Sequence, residues 1–180
     1  MTNTMPPVAA IRSRDGVAID ALLAAAAGRL QAVGVVVEGF VQLERDLSLS
    51  CCPAMHLESI RDGEVRLISQ ELGKGSSGCR LDPRALAELC GPLLQRVRER
   101  PGLLILNRFG KGEMLGGGFR AAIEEAFMLA VPVLVGVRDE YVDAWREFTG
   151  GCDVELEPNP AAIDAWLSKH VVSRNVRNAA

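Results

Sequence analysis

Residues 104–119, LILNRFGKGEMLGGGF, are the stretch from which the rest of the chain can be interpreted. An apolar run ends at Asn107 and is followed by a basic, glycine-broken turn that holds one acid, Glu113. A strand end of this kind in a nucleotide hydrolase usually has an aspartate that holds magnesium, whereas an amide cannot supply that negative charge. The stretch therefore predicts a buried strand followed by a ligand-binding turn that lacks the metal carboxylate.

Apolar runs and helical segments alternate on both sides of this stretch. Gly34 stands where a helix C-terminal glycine belongs, and Asp82-Pro83 is typical of a helix start. Residues 55–70 predict a hairpin around an Asp62-Gly63 turn. The sequence thus predicts an α/β fold: a three-layer, doubly wound, mostly parallel sheet with an added β-hairpin, as one domain over 1–170 and a tail over 171–180. Strands are expected at 8–11, 35–43, 103–107, 132–137 and 154–156, and helices at 17–33, 82–100, 119–130, 141–148 and 161–170.

Composition and charge argue against nucleic acid and membrane as partners of this chain. The 180 residues carry a net charge of −3 with interleaved signs, so no basic face for nucleic acid is expected. The most apolar segment of helical length, 17–33, contains Asp20, Arg29 and Gln31, which argues against a membrane span. Five cysteines, an odd number, without an export signal predict reduced thiols in the cytoplasm. Self-association stays open.

The loop ELGKGSSGCRLD, residues 71–82, contains the components of an anion-binding cradle. Its glycines let backbone N–H groups turn inward, two serines and two cations add donors, and a helix N-terminus follows. The alternative is a flexible loop that ends in an ordinary Asp-Pro cap. Joined with the 108–118 turn, the loop predicts a binding site for a small oxyanion. Its predicted ligand-binding residues are Lys74, Ser76, Ser77, Cys79, Arg80, Asn107, Arg108 and Lys111.

The residues give less support to a cysteine nucleophile or a metal site. A nucleophilic Cys79 would need a histidine base, and the two histidines, His56 and His170, are expected in surface or core roles. The cysteine spacing does not match a zinc site, so neither metal nor cofactor is expected. Glu113 is open to three roles, which are a general base, a metal ligand and an ion-pair partner of Lys111. The ion pair is the commonest of the three for an acid beside a lysine.

A phosphate-binding loop is missing from its expected place. The first strand is followed by Ser13-Arg14-Asp15-Gly16, which has none of the G-x-x-x-x-G-K-[ST] pattern. The two Gly-Lys pairs elsewhere lack the preceding glycine and the following hydroxyl residue. The chain therefore lacks the most specific sequence signal of a nucleotide enzyme.

Three segments resemble an uncharacterised bacterial family, domain of unknown function 2478. They are GFVQL at 39–43, ISQELGKGSSGCRLDPRALAE at 68–88 and LLILNRFGKGEMLGGGFRAAIEEAFMLAVPVLVGV at 103–137, and the resemblance covers about 8–166. It implies a link to molybdenum transport, because members often accompany such genes. A more distant similarity to the cancer-related nucleoside-triphosphatases implies a P-loop-NTPase-like fold. This similarity aligns Asn107 with the position of the magnesium-linked acid and Glu113 near the position of the catalytic acid in that family.

Residues and resemblance together favour a non-catalytic oxyanion-binding protein associated with molybdate or tungstate metabolism. The oxyanion chemistry comes from the two loops, and the molybdenum link comes only from the resemblance. Two alternatives stay open: a divergent nucleotide or phosphoester hydrolase that uses Glu113, and a protein-interaction module.

Overall fold

The structure, a computed structural model, describes residues 7–13, 18–43, 54–70 and 81–173. Seven strands and six helices are assigned within these ranges. The strands are β1 (Val8–Ser13), β2 (Val37–Leu43), β3 (His56–Ser59), β4 (Val65–Leu67), β5 (Leu103–Phe109), β6 (Val133–Arg138) and β7 (Val154–Leu156). The helices are α1 (Ile19–Ala32), α2 (Pro83–Arg98), α3 (Lys111–Met114), α4 (Arg120–Met128), α5 (Val142–Thr149) and α6 (Pro160–Leu167).

The strands form one sheet in the order β4-β3-β2-β5-β6-β1-β7. Strands β2, β5, β6, β1 and β7 are parallel neighbours, whereas β3 is antiparallel to both β2 and β4. The antiparallel pair β3–β4 is the predicted hairpin. Because β4 runs parallel to β2, its carboxyl end lies at the same edge of the sheet as those of β2, β5, β6 and β1.

Each face of the sheet has its own apolar core. Side chains alternate along the central strand, so that Leu104 and Leu106 pack against one helix layer and Leu103 and Ile105 against the other. Helices α2, α4 and α5 cover the first face, and α1 and α6 cover the second. A strand buried on both faces needs a continuous apolar run, which is the pattern seen in the sequence. The predicted three-layer α/β class is therefore confirmed.

Local signals in the sequence act where they were expected. The hairpin turns at Gly63, whose φ of 72° suits a residue without a side chain, and Asp62 Oδ1 accepts from the Glu64 N–H at 3.2 Å. The Asp82 carboxylate caps α2 by accepting from the N–H groups of Arg84 and Ala85. These contacts join residues close in the chain, which is why sequence alone predicts them.

The central strand departs from the prediction at its carboxyl end. Strand β5 continues to Phe109, two residues beyond the predicted end, and its pairing with β6 shifts between Leu106 and Phe109. An irregularity of this kind inserts an extra residue and redirects the side chains around it. Gly136 on β6 makes room for it, since a Cβ at Gly136 would overlap the Asn107 carbonyl oxygen. Asn107 is thus a residue of the irregular segment rather than a strand end.

The chain after α6 also differs from the prediction. A π-helical turn, Ser168–Val172, continues the closing helix, and Val171 is buried in the second core. Residues 174–180 lie outside the described part, so the predicted tail over 171–180 stays a prediction. No described helix combines the length and the apolar character that crossing a membrane requires.

Candidate functional site

A crevice of about 370 Å³ opens at the carboxyl ends of β2, β5 and β6. This is the edge of the sheet at which ligands bind in doubly wound folds. Its polar lining consists of Gln42, Asn107, Arg108, Lys111, Glu113 and Arg138. Its apolar lining includes Met55, Leu57, Ile68, Leu81, Leu86, Phe109 and Phe119.

Described residues beside two undescribed segments line this crevice. Gln42 and Met55 lie within two residues of the gap at 44–53, and both line the crevice. Ile68 and Leu81 flank the gap at 71–80 and line it as well. A bridge between Ser69 and Leu81, and an Asp82 N–H that donates to the Ile68 carbonyl at 2.8 Å, hold the two ends of the second gap together.

The predicted cradle itself lies outside the described residues. Lys74, Ser76, Ser77, Cys79 and Arg80 all fall in the 71–80 gap, so their share of the binding site stays a prediction. The three remaining predicted residues, Asn107, Arg108 and Lys111, are described, and all three line the crevice.

Asn107 is held inside the crevice by the irregular end of β5. Its side chain is 7% exposed, and its Nδ2 donates to Gln42 Oε1 at 3.4 Å. This contact uses one N–H of Asn107 and the oxygen of Gln42. The other amide donors and the Asn107 oxygen can bind a ligand. No described group of three or more His, Cys, Asp and Glu residues is arranged to hold a metal ion.

Arg108 reaches across the sheet edge to the first turn of α1. Its Nη2 lies 3.5 Å from Asp20 Oδ2, while Asp20 Oδ1 accepts from the Gln42 N–H at 3.2 Å. A contact of 3.5 Å is long for a charged hydrogen bond, and a guanidinium has five N–H donors. Asp20 therefore orients Arg108 and leaves most of its donors available.

Two further cations line the rim. Lys111 is exposed and forms no ion pair with any other described residue. Arg138, at the end of β6, is 3.9 Å from Glu140, and both side chains are about half exposed. An exposed pair at that distance contributes little, so Arg138 can turn towards an anion at low cost.

Glu113 has a structural role that the sequence did not indicate. The residue is 6% exposed, its Oε2 accepts from the Gly110 N–H and its Oε1 accepts from the Phe119 N–H, both at 3.0 Å. Gly118 has a φ of 55°, and a Cβ there would overlap the Glu113 carboxylate. Of the three roles left open, the ion pair with Lys111 is not formed among the described residues, because Glu113 instead clamps the two ends of its own turn.

Cys90 lies on the far side of the same turn. Its Sγ, on α2, lies 3.0 Å from the Gly118 carbonyl and 3.2 Å from the Leu86 carbonyl, either of which can accept the thiol proton, and the residue is partly buried. Burial first, and then the charge of Glu113, raise the pKa of the Cys90 thiol to about 11. Cys90 therefore holds the turn as a neutral donor and is not a nucleophile at neutral pH.

Cys90 should resist alkylation at pH 8, since only about one thiol in a thousand is ionised three units below the pKa. The exposed Cys152 offers an internal control. Peptide mapping after a timed iodoacetamide pulse should show Cys152 modified well before Cys90. In denaturant the two should react alike. Equal rates in the folded protein would contradict the buried hydrogen bond.

A second crevice, of about 510 Å³, lies between the hairpin and α2. Its charged side chains largely satisfy one another or their neighbours. Arg66 pairs with Glu64 at 2.6 Å, and Arg96 pairs with Asp62 at 3.2 Å. The crevice at the strand ends, where Arg108 and Arg138 make only long ion-pair contacts of 3.5 and 3.9 Å, is therefore the better candidate site.

Four residues of the site were missed in the sequence: Asp20, Gln42, Arg138 and Tyr141. Gln42 is the penultimate residue of β2, Arg138 is the last residue of β6, and Asp20 stands in the first turn of α1. A search for polar residues at every strand end, rather than in glycine-rich loops alone, would have found the first three. Tyr141 follows β6 in a short 3-10 turn and has no comparable signal.

Solved structures and curated sequences relate this fold to known proteins. The solution structure of a human cancer-related nucleoside triphosphatase superposes with a TM-score of 0.64 over 97% of this chain and 99% of that one. At 15% identity this likeness concerns the fold alone, which is P-loop-NTPase-like.

A sequence relative is the molybdenum import ATP-binding protein ModC 2 of Bradyrhizobium diazoefficiens, which is 32% identical over 159 residues. The match covers 88% of this chain but only 18% of that protein, so the chain corresponds to less than a fifth of its relative. The profile of a protein family of unknown function, DUF2478, matches residues 8–166, and the chain therefore belongs to that family.

Proposed function

We propose that this protein binds a small oxyanion without catalysing a reaction, and that it serves molybdate or tungstate metabolism in the cytoplasm. One observation carries the proposal: Arg108, Lys111 and Arg138 line a single crevice at the ends of two neighbouring strands. Charged hydrogen bonds to such cations are about twice as strong as neutral ones. The predicted cradle, Lys74 to Arg80, would add donors from the gap whose ends lie at the same wall.

The charge balance supports an anion rather than a metal cation. Glu113 is the single acid in the described lining, and both its oxygens already accept backbone N–H groups. Asp20 lies just outside the lining, where it contacts Arg108. Three cations against one acid in the described lining favour a negatively charged ligand over a cation.

The geometry of Glu113 argues against the alternative of a hydrolase. A general base must reach the proton that it removes, and this carboxylate is buried and aimed at the backbone of its own turn. The molybdenum part of the proposal is supported by the molybdenum import ATP-binding relative and by the family resemblance.

Lys111→Ala should weaken oxyanion binding by roughly one to two orders of magnitude. One charge-assisted hydrogen bond is worth about 1.5–3 kcal/mol, and about 1.4 kcal/mol corresponds to a tenfold change. Titration calorimetry with molybdate, tungstate, sulfate and phosphate measures the change. Lys169→Ala removes an exposed lysine outside the crevice and should leave every affinity unchanged.

Oxyanion binding by the unmodified protein is the decisive test of the proposal. Ligand that binds the native state raises its thermal midpoint by mass action, so at least one oxyanion should stabilise it. A flat titration of the parent against all four anions would overturn oxyanion binding and leave the interaction module ahead. Magnesium-dependent turnover of ATP near one per second would instead support the hydrolase, since that is about the lower edge for ordinary enzymes.

A further inference from the structure

The lining of the crevice is sorted by polarity along the sheet. Its apolar side chains come mainly from the hairpin edge and α2: Met55, Leu57, Ile68, Leu81 and Leu86. Its cations come from β5, β6 and the turn after β5. Strand β2 lies between the two groups in the sheet, and Gln42 at its end lies between the apolar and the cationic side.

The crevice is also larger than a bare oxyanion needs. Four oxygens, each comparable to a water molecule of about 30 Å³, take up roughly 120 Å³. The crevice holds about 370 Å³, within the ordinary range for sites that bind small organic molecules. A bare anion at the cationic end would leave the partly buried side chains of Met55, Leu81 and Leu86 without a ligand contact in the crevice.

From this arrangement we infer that the ligand is an organic anion, a phosphate-type head group joined to an apolar body. The head contacts Arg108, Lys111 and Arg138, and the body lies against Met55 and Leu86 on the hairpin side. The inference rests on the proposed function, because the head group is the oxyanion that the cations bind.

Phenyl phosphate is a suitable probe because inorganic phosphate supplies its head group alone and benzyl alcohol approximates its body alone. Calorimetry should find phenyl phosphate bound about tenfold or more tightly than inorganic phosphate, since the ring buries apolar surface. Benzyl alcohol should bind more weakly than phenyl phosphate by a similar or larger factor, because it lacks the charge that the cations contact.

Two variants assign the two halves of the ligand to the two sides. Met55→Gln makes the wall polar with little change in volume, and the hydrogen bonds of Met55 are made by its backbone, so folding should be kept. It should lower the preference for phenyl phosphate over phosphate to about threefold or less, without changing phosphate affinity. Lys111→Ala should weaken both ligands by the same factor and leave the preference unchanged.

The outcomes separate this inference from the proposed function. Equal affinities for phenyl phosphate and phosphate would overturn the organic ligand and leave the bare oxyanion site standing. Binding of phenyl phosphate without binding of any bare oxyanion would support the organic ligand and contradict the simpler proposal. Benzyl alcohol bound as tightly as phenyl phosphate, or no binding of any probe, would overturn the inference. Leu86→Asn repeats the test from α2 if the Met55 variant fails to fold.

Discussion

Gly39→Ala should strongly destabilise the folded protein at 25 °C. Gly39 lies in the middle of β2 beside Ile105 of β5, with a φ of 127° that residues with side chains rarely adopt. A Cβ at this position would overlap the Ile105 carbonyl oxygen, and both strands are buried on both faces. Nothing in the centre of the sheet can move aside, so we expect a loss of more than about 5 kcal/mol, beyond the usual range for one substitution.

Urea unfolding followed by circular dichroism measures this loss, with Gly28→Ala as the matched control. Gly28 is exposed in the middle of α1, and a Cβ there would meet no atom within 4 Å. Alanine should stabilise that helix by about 0.5–1 kcal/mol. A Gly39 variant that unfolds at the parent's urea midpoint would show that β2 and β5 are not as close as the structure has them.

Glu113→Ala has the second largest expected effect, a loss of about 3–5 kcal/mol of folding free energy. The substitution removes two hydrogen bonds to a charged acceptor, each worth about 1.5–3 kcal/mol, and leaves the Gly110 and Phe119 N–H groups without partners. Domains of this kind are stabilised by about 5–15 kcal/mol in total. The thermal midpoint should therefore fall by on the order of 10 °C.

Glu113→Gln distinguishes this clamp from a catalytic base. The amide keeps one accepting oxygen but turns a donor towards the other N–H group, so we expect roughly half of the alanine effect. If Glu113 acted only as a catalytic base, Glu113→Gln should instead have the same thermal midpoint as the parent protein. Glu147→Ala, an exposed acid on α5, should change the midpoint by very little. If all three variants melt with the parent, the clamp is refuted.

Loss of the clamp should also reach the ligand site. Glu113 fixes Gly110, and Gly110 stands between Arg108 and Lys111 in the chain. Oxyanion affinity in the Glu113→Gln variant should therefore fall together with the thermal midpoint, although the carboxylate itself repels anions. The residue types of Glu113, Arg108 and Lys111 alone do not indicate that the buried acid positions the two cations.

The candidate site was predicted only in part from the sequence. Arg108 and Lys111 stood out because cations in a glycine-rich turn after a buried strand are an unusual pattern, and both line the crevice. Asn107 was expected at a strand end, but the shift between β5 and β6 places it inside an irregular segment. That shift depends on the missing side chain of Gly136, a residue 29 positions further along the chain, so no local pattern could reveal it.

Buried charge was the other feature that local patterns could not reveal. Glu38 lies in a run of apolar residues on β2 and is 1% exposed. Its Oε1 accepts from Arg61 at 2.8 Å, and burial outweighs this arginine and Arg96 to raise the pKa of the carboxyl group. The hairpin brings Arg61 to β2, and a partner supplied by another element is invisible in the strand's own sequence.

The sequence by itself determined the fold class, the order of strands and helices, the hairpin turn and the family. Those features follow from apolar periodicity, from caps and from glycines with special φ, which act between residues a few positions apart. Only the tertiary structure decided that Glu113 is a clamp, that Asp20 orients Arg108, and that an apolar wall faces the cations. These features depend on contacts between elements that are distant in the chain. A buried polar group must find a partner in the folded protein, and the sequence does not show which partner lies within reach.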